Sequence, residues 1–217
     1  PQVTYPPGVS PGGVLSAPPG WGTLFNLCYS KFMTIPERYK QLATSTEINE
    51  AISKMAQQVL HDYDELPLFI ALLRGAAPFA SKLLFEITRQ SPDSHPELDY
   101  MMVSTYGSGQ VAGSPRIVTD IAPNTEISGR SVLVLDDVLD KGITAEFVFR
   151  HVLSRGALDV QLAVLANKDV TRTHDEITAS YEAFHFGNQW LVGMGMDDAH
   201  VANEGYRWLE EIWEISQ

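Results

Sequence analysis

The sequence has one cysteine, few basic residues and no long apolar run. Cys28 alone can form neither an intramolecular disulfide nor a thiolate metal cluster, which fits a reducing compartment. We therefore expect a cytoplasmic protein. No run approaches the roughly 20 apolar residues of a membrane helix. The first charged side chain is Lys31, so the basic start of a signal peptide is also missing. These two absences predict no membrane partner.

The charge is strongly one-sided. The 27 acidic residues outnumber the 15 basic residues and give a formal net charge of -12. Binding along a nucleic acid needs clustered Lys and Arg that displace counterions, so we expect no nucleic-acid partner. Any phosphate that this protein binds must be held locally.

The chain divides by composition into an arm and a domain. Residues 1–22 contain six prolines and five glycines, a composition that disfavours both helices and strands. This predicts an extended Pro/Gly-rich N-terminal arm over residues 1–22. The remaining residues, 23–217, are enough for one sizeable core, and we expect a single domain there.

Apolar runs alternate with helical segments along this domain. Thr44 and Glu47 have the spacing of a capping box at the start of a helix. Apolar runs follow at residues 68–73, 78–88, 100–106, 132–135, 145–153 and 160–166. Alternating strands and helices predict an α/β fold with a mainly parallel central sheet flanked by helices. Residues 108–131 break the alternation, and a polar connection of that length is typical of a functional lid or of disorder.

The most informative segment is Val132–Thr144, in which four apolar residues are followed by Asp136 and Asp137 and then by a loop containing Gly142. Ligands bind at the carboxyl ends of strands in open α/β sheets. The unpaired N–H groups of the following helix start suit a phosphate, with help from Thr144 and Lys141. Carboxylates beside a phosphate site are explained if the phosphate belongs to a sugar, because they accept hydrogen bonds from ribose hydroxyls.

This segment resembles the phosphoribosyl pyrophosphate signature of the type I phosphoribosyltransferases. The resemblance implies their fold, with a small hood formed by N- and C-terminal segments (including residues 168–217), and Mg²⁺ as cofactor. It also implies a set of residues that bind the ribose and the phosphoribosyl pyrophosphate: Asp136, Asp137, Asp140, Lys141, Gly142, Ile143 and Thr144. The glycine patterns of Walker-type and dinucleotide-binding loops are absent from the sequence.

Further segments are similar to the hypoxanthine-guanine branch of that family and occur in the family's order. Residues 72–79 resemble the pyrophosphate loop with its cis peptide, although Arg74 before Gly75 stands where a lysine is usual. Thr105 and Tyr106 end a segment similar to the strand that leads into the family's mobile catalytic loop, which implies a mobile lid over residues 105–130. The resemblance assigns Thr105 and Tyr106, together with Arg74 and Gly75, to pyrophosphate binding. Arg207 resembles the arginine that binds pyrophosphate, a few residues farther along the chain than usual.

The C-terminal part resembles the family's base-recognition elements, with residues 186–197 similar to its base-recognition strand. The resemblance assigns Lys168 to the 6-oxo group of a purine, Trp190 to stacking on the ring and the backbone of Leu191 to its exocyclic edge. Asp197 is assigned to the purine site and to the magnesium and pyrophosphate side. Taken alone, Lys168 also fits a solvated strand-end charge, and Trp190 a core residue.

The resemblance implies a purine-salvage enzyme that uses phosphoribosyl pyrophosphate and a purine base: hypoxanthine, guanine or xanthine. Asp140 is then the catalytic base that takes the proton from N7. Asp136, Asp137 and Asp197 are the implied magnesium ligands, and the assembly is implied to be a homo-oligomer, either a dimer or a tetramer.

Three alternatives stay open at this point. The same fold could use another acceptor base, such as a pyrimidine. It could serve as a nucleotide-sensing regulator, although an RNA-binding face is hard to build at this net charge. It could be an interaction protein without chemistry, an interpretation that the co-occurrence of Asp136, Asp137, Asp140, Thr144 and Lys168 disfavours.

Overall fold

The elements described below come from a computed structural model, which describes residues 35–105 and 114–215. The chain divides into two units, residues 1–37 and 38–217, and every helix and strand described belongs to the second. The predicted arm, residues 1–22, lies outside the described residues, so its boundary stays a prediction. Among the described residues no helix is long and apolar enough to cross a membrane.

Three helices have the amphipathic patterns that the sequence predicts. They are α1 (Ser45–Asp62), α2 (Ala77–Gln90) and α3 (Ile143–Ser154). The capping box is confirmed, since the Thr44 hydroxyl accepts from the Glu47 N–H while the Glu47 carboxylate accepts from the Thr44 N–H. The apolar faces of α1 and α2 pack into one core cluster, whereas α3 packs into a second cluster.

A six-stranded sheet separates these two clusters. Its strand order is β4-β3-β2-β5-β6-β7, and all neighbours are parallel except the antiparallel edge pair β3 and β4. The strands are β2 (Leu68–Leu73), β3 (Leu98–Ser104), β4 (Arg116–Thr119), β5 (Ser131–Leu139), β6 (Asp159–Lys168) and β7 (Tyr181–Phe186). The parallel arrangement brings the carboxyl ends of β2, β5 and β6 to one edge of the sheet. The predicted mainly parallel sheet is confirmed.

A second, antiparallel sheet joins the two ends of the domain. It has the order β1-β9-β8, formed by β1 (Tyr39–Ala43), β8 (Leu191–Val192) and β9 (Ile212–Ile215). Because β1 precedes the first helix and β8 and β9 are the last strands described, the predicted hood of N- and C-terminal segments is present. Its predicted range of residues 168–217 is too wide, since β7 lies within that range and pairs with β6 in the central sheet.

Two segments differ from the sequence-based expectation. Residues 108–131, expected as an irregular connection, contain β4, an edge strand with a mostly exposed burial pattern and therefore little apolar periodicity. Residues 186–197, expected as one base-recognition strand, are divided. Phe186 ends β7, Leu191–Val192 forms β8, and positive φ at Gly193, Met194 and Gly195 turns the chain after it.

Candidate active site

The segment β5–loop–α3 forms the centre of the site. Residues 132–135 of β5 are fully buried, and the strand continues through Asp136 and Asp137 as far as Leu139. Gly142 is the N-cap residue of α3 with φ 77°, and a Cβ at this position would lie 3.1 Å from the His174 carbonyl oxygen. Glycine is therefore favoured here for its left-handed backbone and for the close approach of the neighbouring chain.

A first cavity of about 490 Å³ opens over this segment. Its walls come from the ends of β2, β3 and β5, from the loop before α3 and from the hood. The predicted site residues that line it are Gly75, Thr105, Asp136, Asp137, Asp140, Lys141, Gly142, Ile143, Thr144, Asp197 and Arg207. The start of a helix and the carboxylates at the end of a strand thus face one space, as a sugar phosphate requires.

Two adjacent, partly buried carboxylates, Asp136 and Asp137, dominate the electrostatics of this cavity. Burial raises the pKa of Asp136 well above its ordinary value, and the charge of Asp137 raises it further. Burial also raises the pKa of Asp137, against the opposing effects of hydrogen bonds and of the Arg207 guanidinium. Such a pair is stabilised in its charged form by a cation or by hydroxyl donors.

The loop after β2 packs tightly against this pair. The Leu73–Arg74 peptide is cis, as the resemblance implies. A Cβ at Gly75 would overlap the Asp137 carboxylate, and a Cβ at Gly195 would overlap the Gly75 carbonyl oxygen. These glycines allow β5, the loop after β2 and the hood to meet at one point.

Asp197 and Arg207 form an ion pair on the hood side of the cavity. The Arg207 guanidinium, in a residue that is 8% exposed, donates to the Asp197 carboxylate at 2.8 Å and to the Gly195 carbonyl. The chain between them forms a turn closed by a β-bridge between Asp198 and Gly205. The turn accommodates the unusually long spacing, so that Asp197 and Arg207 line the same cavity.

A second cavity of about 660 Å³ adjoins the first and shares Asp140 and Lys141 with it. Lys168, at the end of β6, is 7% exposed, and its Nζ lies 3.3 Å from the Asp140 carboxylate. Trp190 is 53% exposed, and its Nε1 donates to the Asp197 carbonyl at 3.1 Å. One buried cation and one half-exposed aromatic face are thus available to a planar ligand next to the first cavity.

Comparison with known proteins assigns this architecture to a family. The model of the phosphoribosyl transferase domain matches residues 38–198, which include the strand–loop–helix segment at the centre of the site. The chain belongs to the phosphoribosyltransferase family. The family interpretation of the sequence is thereby confirmed.

Individual members of the phosphoribosyltransferase family resemble the chain to different extents. A hypoxanthine-guanine phosphoribosyltransferase of Streptococcus thermophilus is 34% identical over 180 residues, covering 82% of this chain and 93% of the relative. The bifunctional protein TilS/HprT of Listeria monocytogenes is 35% identical over 175 residues, which are 80% of this chain. That alignment spans only 25% of the Listeria protein. A crystal structure of a Staphylococcus aureus hypoxanthine phosphoribosyltransferase superposes with a TM-score of 0.71 at 27% identity, covering 82% of this chain and 91% of that one.

Two predicted site residues of this phosphoribosyltransferase lie outside both cavity linings. Arg74 is not among the residues that line the two cavities, and its guanidinium pairs with Glu204. Leu191 is buried in the hood strand β8. Asp197, predicted for the purine site and for the magnesium side, lines the first cavity and not the second, and only its carbonyl contacts the predicted purine residue Trp190. Tyr106 lies outside the described residues.

The carboxylates of the first cavity suit a hard cation with an incomplete protein shell. Among the described residues, no three His, Cys, Asp or Glu side chains converge as a metal site, so the predicted ligands Asp136, Asp137 and Asp197 do not form a complete protein cage. Mg²⁺ usually takes one or two carboxylates and completes its shell with substrate phosphates and water. The partly buried pair of Asp136 and Asp137 fits that mode of binding.

No pattern in the sequence identifies Arg172, which lines neither cavity but contacts the backbone of residues that do. Its guanidinium donates to the carbonyl oxygens of Asp140 at 3.3 Å and Lys168 at 3.4 Å. It also donates to the Asn167 side chain, which in turn donates to Glu182. Asn167 and Arg172 flank Lys168 in the sequence, but a fork of donors between a strand end and a loop becomes visible only in three dimensions.

Proposed function

We propose that this chain is a purine-salvage phosphoribosyltransferase that transfers ribose 5-phosphate from phosphoribosyl pyrophosphate to a 6-oxopurine: hypoxanthine, guanine or xanthine. The observation that supports this best is the pair of adjoining cavities that share Asp140 and Lys141. One cavity has the groups for a phosphorylated sugar and the other has the groups for a base. The relatives named above as hypoxanthine-guanine enzymes support the same acceptor class.

In this proposal the first cavity holds the donor. Asp136 and Asp137 accept hydrogen bonds from the ribose hydroxyls, while the N–H groups of residues 141–144 and the Thr144 hydroxyl hold the 5-phosphate at the start of α3. The backbone of Arg74–Gly75 and the guanidinium of Arg207 stabilise the negative charge that develops on the leaving pyrophosphate. Asp136, Asp137 and Asp197 would hold magnesium, which when bound neutralises the pyrophosphate.

The second cavity holds the acceptor. Lys168 donates to the 6-oxo group and Trp190 stacks on the ring, so that N9 of the purine faces the sugar C1. The C1–N9 bond forms, the bond from C1 to the pyrophosphate oxygen breaks, and the N7 proton passes to the Asp140 carboxylate. A 6-amino group cannot accept from Lys168 as a 6-oxo group can, and adenine is therefore disfavoured.

The test is turnover with a panel of bases. The purified chain is incubated with Mg²⁺, phosphoribosyl pyrophosphate and, separately, hypoxanthine, guanine, xanthine, adenine and uracil, and nucleotide formation is followed by chromatography. We expect a product with at least one 6-oxopurine and none with uracil. Binding of the donor without turnover of any base would contradict the proposal and favour a nucleotide-sensing regulator.

The same proposal extends to the cytoplasmic location and to the assembly. We expect a homodimer or homotetramer, and light scattering of the purified chain measures its mass directly. A monomer across the working concentration range would contradict this part alone.

A further inference from the structure

The carboxylate of Glu204 contacts two arginines beside the first cavity. Its Oε1 atom pairs with Nη1 of Arg74, and its Oε2 atom accepts from Nε of Arg207 at 3.1 Å. Arg74 belongs to the loop after β2 and Arg207 lies in the hood, so this one side chain joins two separate elements. It is 31% exposed and therefore open to the solvent on one side.

The backbone around Glu204 holds the carboxylate in this place. Asn203, Glu204 and Tyr206 all have left-handed φ values, 60°, 58° and 63°, a conformation that costs non-glycine residues free energy and persists only where surrounding contacts impose it. Those contacts start at Asp198, which is 1% exposed and accepts from the Tyr39 hydroxyl at 2.6 Å.

The two arginines differ in what else they bind. Arg207 keeps its contacts to Asp197 and to the Gly195 carbonyl if Glu204 is removed. Within residues 35–105 and 114–215, Arg74 makes no ion pair other than that with Glu204. Removal of the carboxylate thus leaves Arg207 oriented by two contacts and frees the Arg74 side chain.

We propose that Glu204 is a displaceable carboxylate that competes with the pyrophosphate group for Arg74 and Arg207. This inference rests on the proposed function, because the competitor is the pyrophosphate of that reaction. Pyrophosphate carries more charge and more acceptor oxygens than one carboxylate, so it displaces Glu204. Breaking the two ion pairs lowers the apparent affinity for the group, and the pairs re-form as pyrophosphate leaves.

The experiment is calorimetric titration of the full chain with magnesium pyrophosphate. Glu204→Gln removes the charge at nearly constant size, and we expect about fivefold tighter binding, as the loss of two partly exposed ion pairs allows. Glu210→Gln is the matched control, since Glu210 is exposed and nearby and has no ion pair among the described residues. It is expected to bind as the wild type does. Unchanged or weaker binding by Glu204→Gln overturns the proposal.

A second variant excludes an effect of the altered turn. Glu204→Asn removes the charge and shortens the side chain by one methylene group, so that it no longer contacts the two arginines. Asparagine also tolerates a left-handed backbone. This variant is also expected to tighten binding, and failure of either variant to do so overturns the proposal. In an Arg74→Gln background the effect of Glu204→Gln should shrink; an undiminished effect contradicts the role of Arg74.

Failure of this inference differs in outcome from failure of the proposed function. Turnover by the wild type with unchanged pyrophosphate affinity in Glu204→Gln removes the inference alone. Absence of turnover with every base, with pyrophosphate still bound, removes the proposed reaction, while the comparison of affinities still decides the role of Glu204.

Discussion

Asp140 is the carboxylate that lines both cavities. Its side chain is 43% exposed, and its only ion pair in the described part of the chain is with Lys168, which in the proposed reaction turns to the base. An acid between donor and acceptor with a displaceable partner is well placed to receive a proton.

We expect Asp140→Asn to lower kcat by at least about 100-fold, the range of general-base catalysis. The KM for phosphoribosyl pyrophosphate should change little, because the amide keeps the size of the side chain and the ribose contacts belong to Asp136 and Asp137. Steady-state kinetics with each substrate varied in turn measures both effects. Asp175→Asn, an exposed acid after β6, is the control. Equal losses in turnover and donor binding would remove Asp140 from the role of base.

At the scale of elements, Arg172 ties the loop before α3 to the end of β6. Its guanidinium donates hydrogen bonds to the carbonyl oxygens of Asp140 and Lys168, but Arg172 itself lines neither cavity. It therefore acts on the substrates only by positioning these two residues.

Arg172→Lys keeps the charge but loses the planar fork of donors. We expect a kcat about tenfold lower and a raised KM for the purine, because small displacements of reacting groups are costly. Affinity for magnesium pyrophosphate, titrated by calorimetry, should stay unchanged, since Arg207 lies on the other side of the site. Arg150→Lys, which alters an exposed pair within α3, is the control. A general fall in thermal stability with unaltered kinetics would indicate a merely structural role.

The hood and the loop after β2 meet at Gly195, where φ is 106° and where a Cβ would overlap the Gly75 carbonyl oxygen. We expect Gly195→Ala to lower the free energy of unfolding by more than about 2 kcal/mol, the sum of a left-handed strain of about 1 kcal/mol and the steric overlap. Urea denaturation measures this. Gly129→Ala is the matched control, because φ is 75° there and no atom lies within 4 Å of the added Cβ. Equal losses in both variants would mean that the overlap relaxes at no cost.

The sequence predicts the elements that are determined by neighbouring residues along the chain. The run Val132–Leu135, the carboxylates and Gly142 predict a strand, a loop and a helix start because each has its own pattern. The exposed strand β4 has no such pattern, since an edge strand with few buried residues is stabilised by pairing with β3. Glu204 could not be found, because its place depends on left-handed φ values at non-glycine residues. Left-handed φ values at non-glycine residues are imposed by tertiary contacts, and no residue pattern in the sequence predicts them.

At the scale of the whole molecule, Glu86 links the two helices on one face of the sheet. Its carboxylate on α2 accepts from Ser53 of α1 and from Arg89 and Gln90 of α2. The Arg89 guanidinium and then the Ser53 and Gln90 donors lower the pKa of Glu86 from its ordinary 4.5 to about 2. A carboxylate with a depressed pKa contributes stability above pH 4.5 and loses it as the pH falls towards 2.

Glu86→Gln should therefore reduce the free energy of unfolding by about 1 kcal/mol at pH 7. The difference from the wild type should shrink as the pH falls from 4.5 towards 2. Urea titrations across this range, with the exposed Glu50→Gln on α1 as the control, measure it. A deficit that is independent of pH would show that the charge of Glu86 is not its cause.

The exposed indole of Trp190 has a practical consequence. It lines the second cavity, and its N–H is tied to the Asp197 carbonyl, so the ring is held where the proposed base stacks. Stacking on a purine quenches indole emission, and the protein therefore carries its own optical reporter of acceptor binding. A Trp208→Phe variant removes the background emission of a 70% exposed indole, and the change caused by the base is then read against the constant emission of Trp21 and Trp213. Stopped-flow fluorescence without any label should then time the arrival of the base separately from the chemical step.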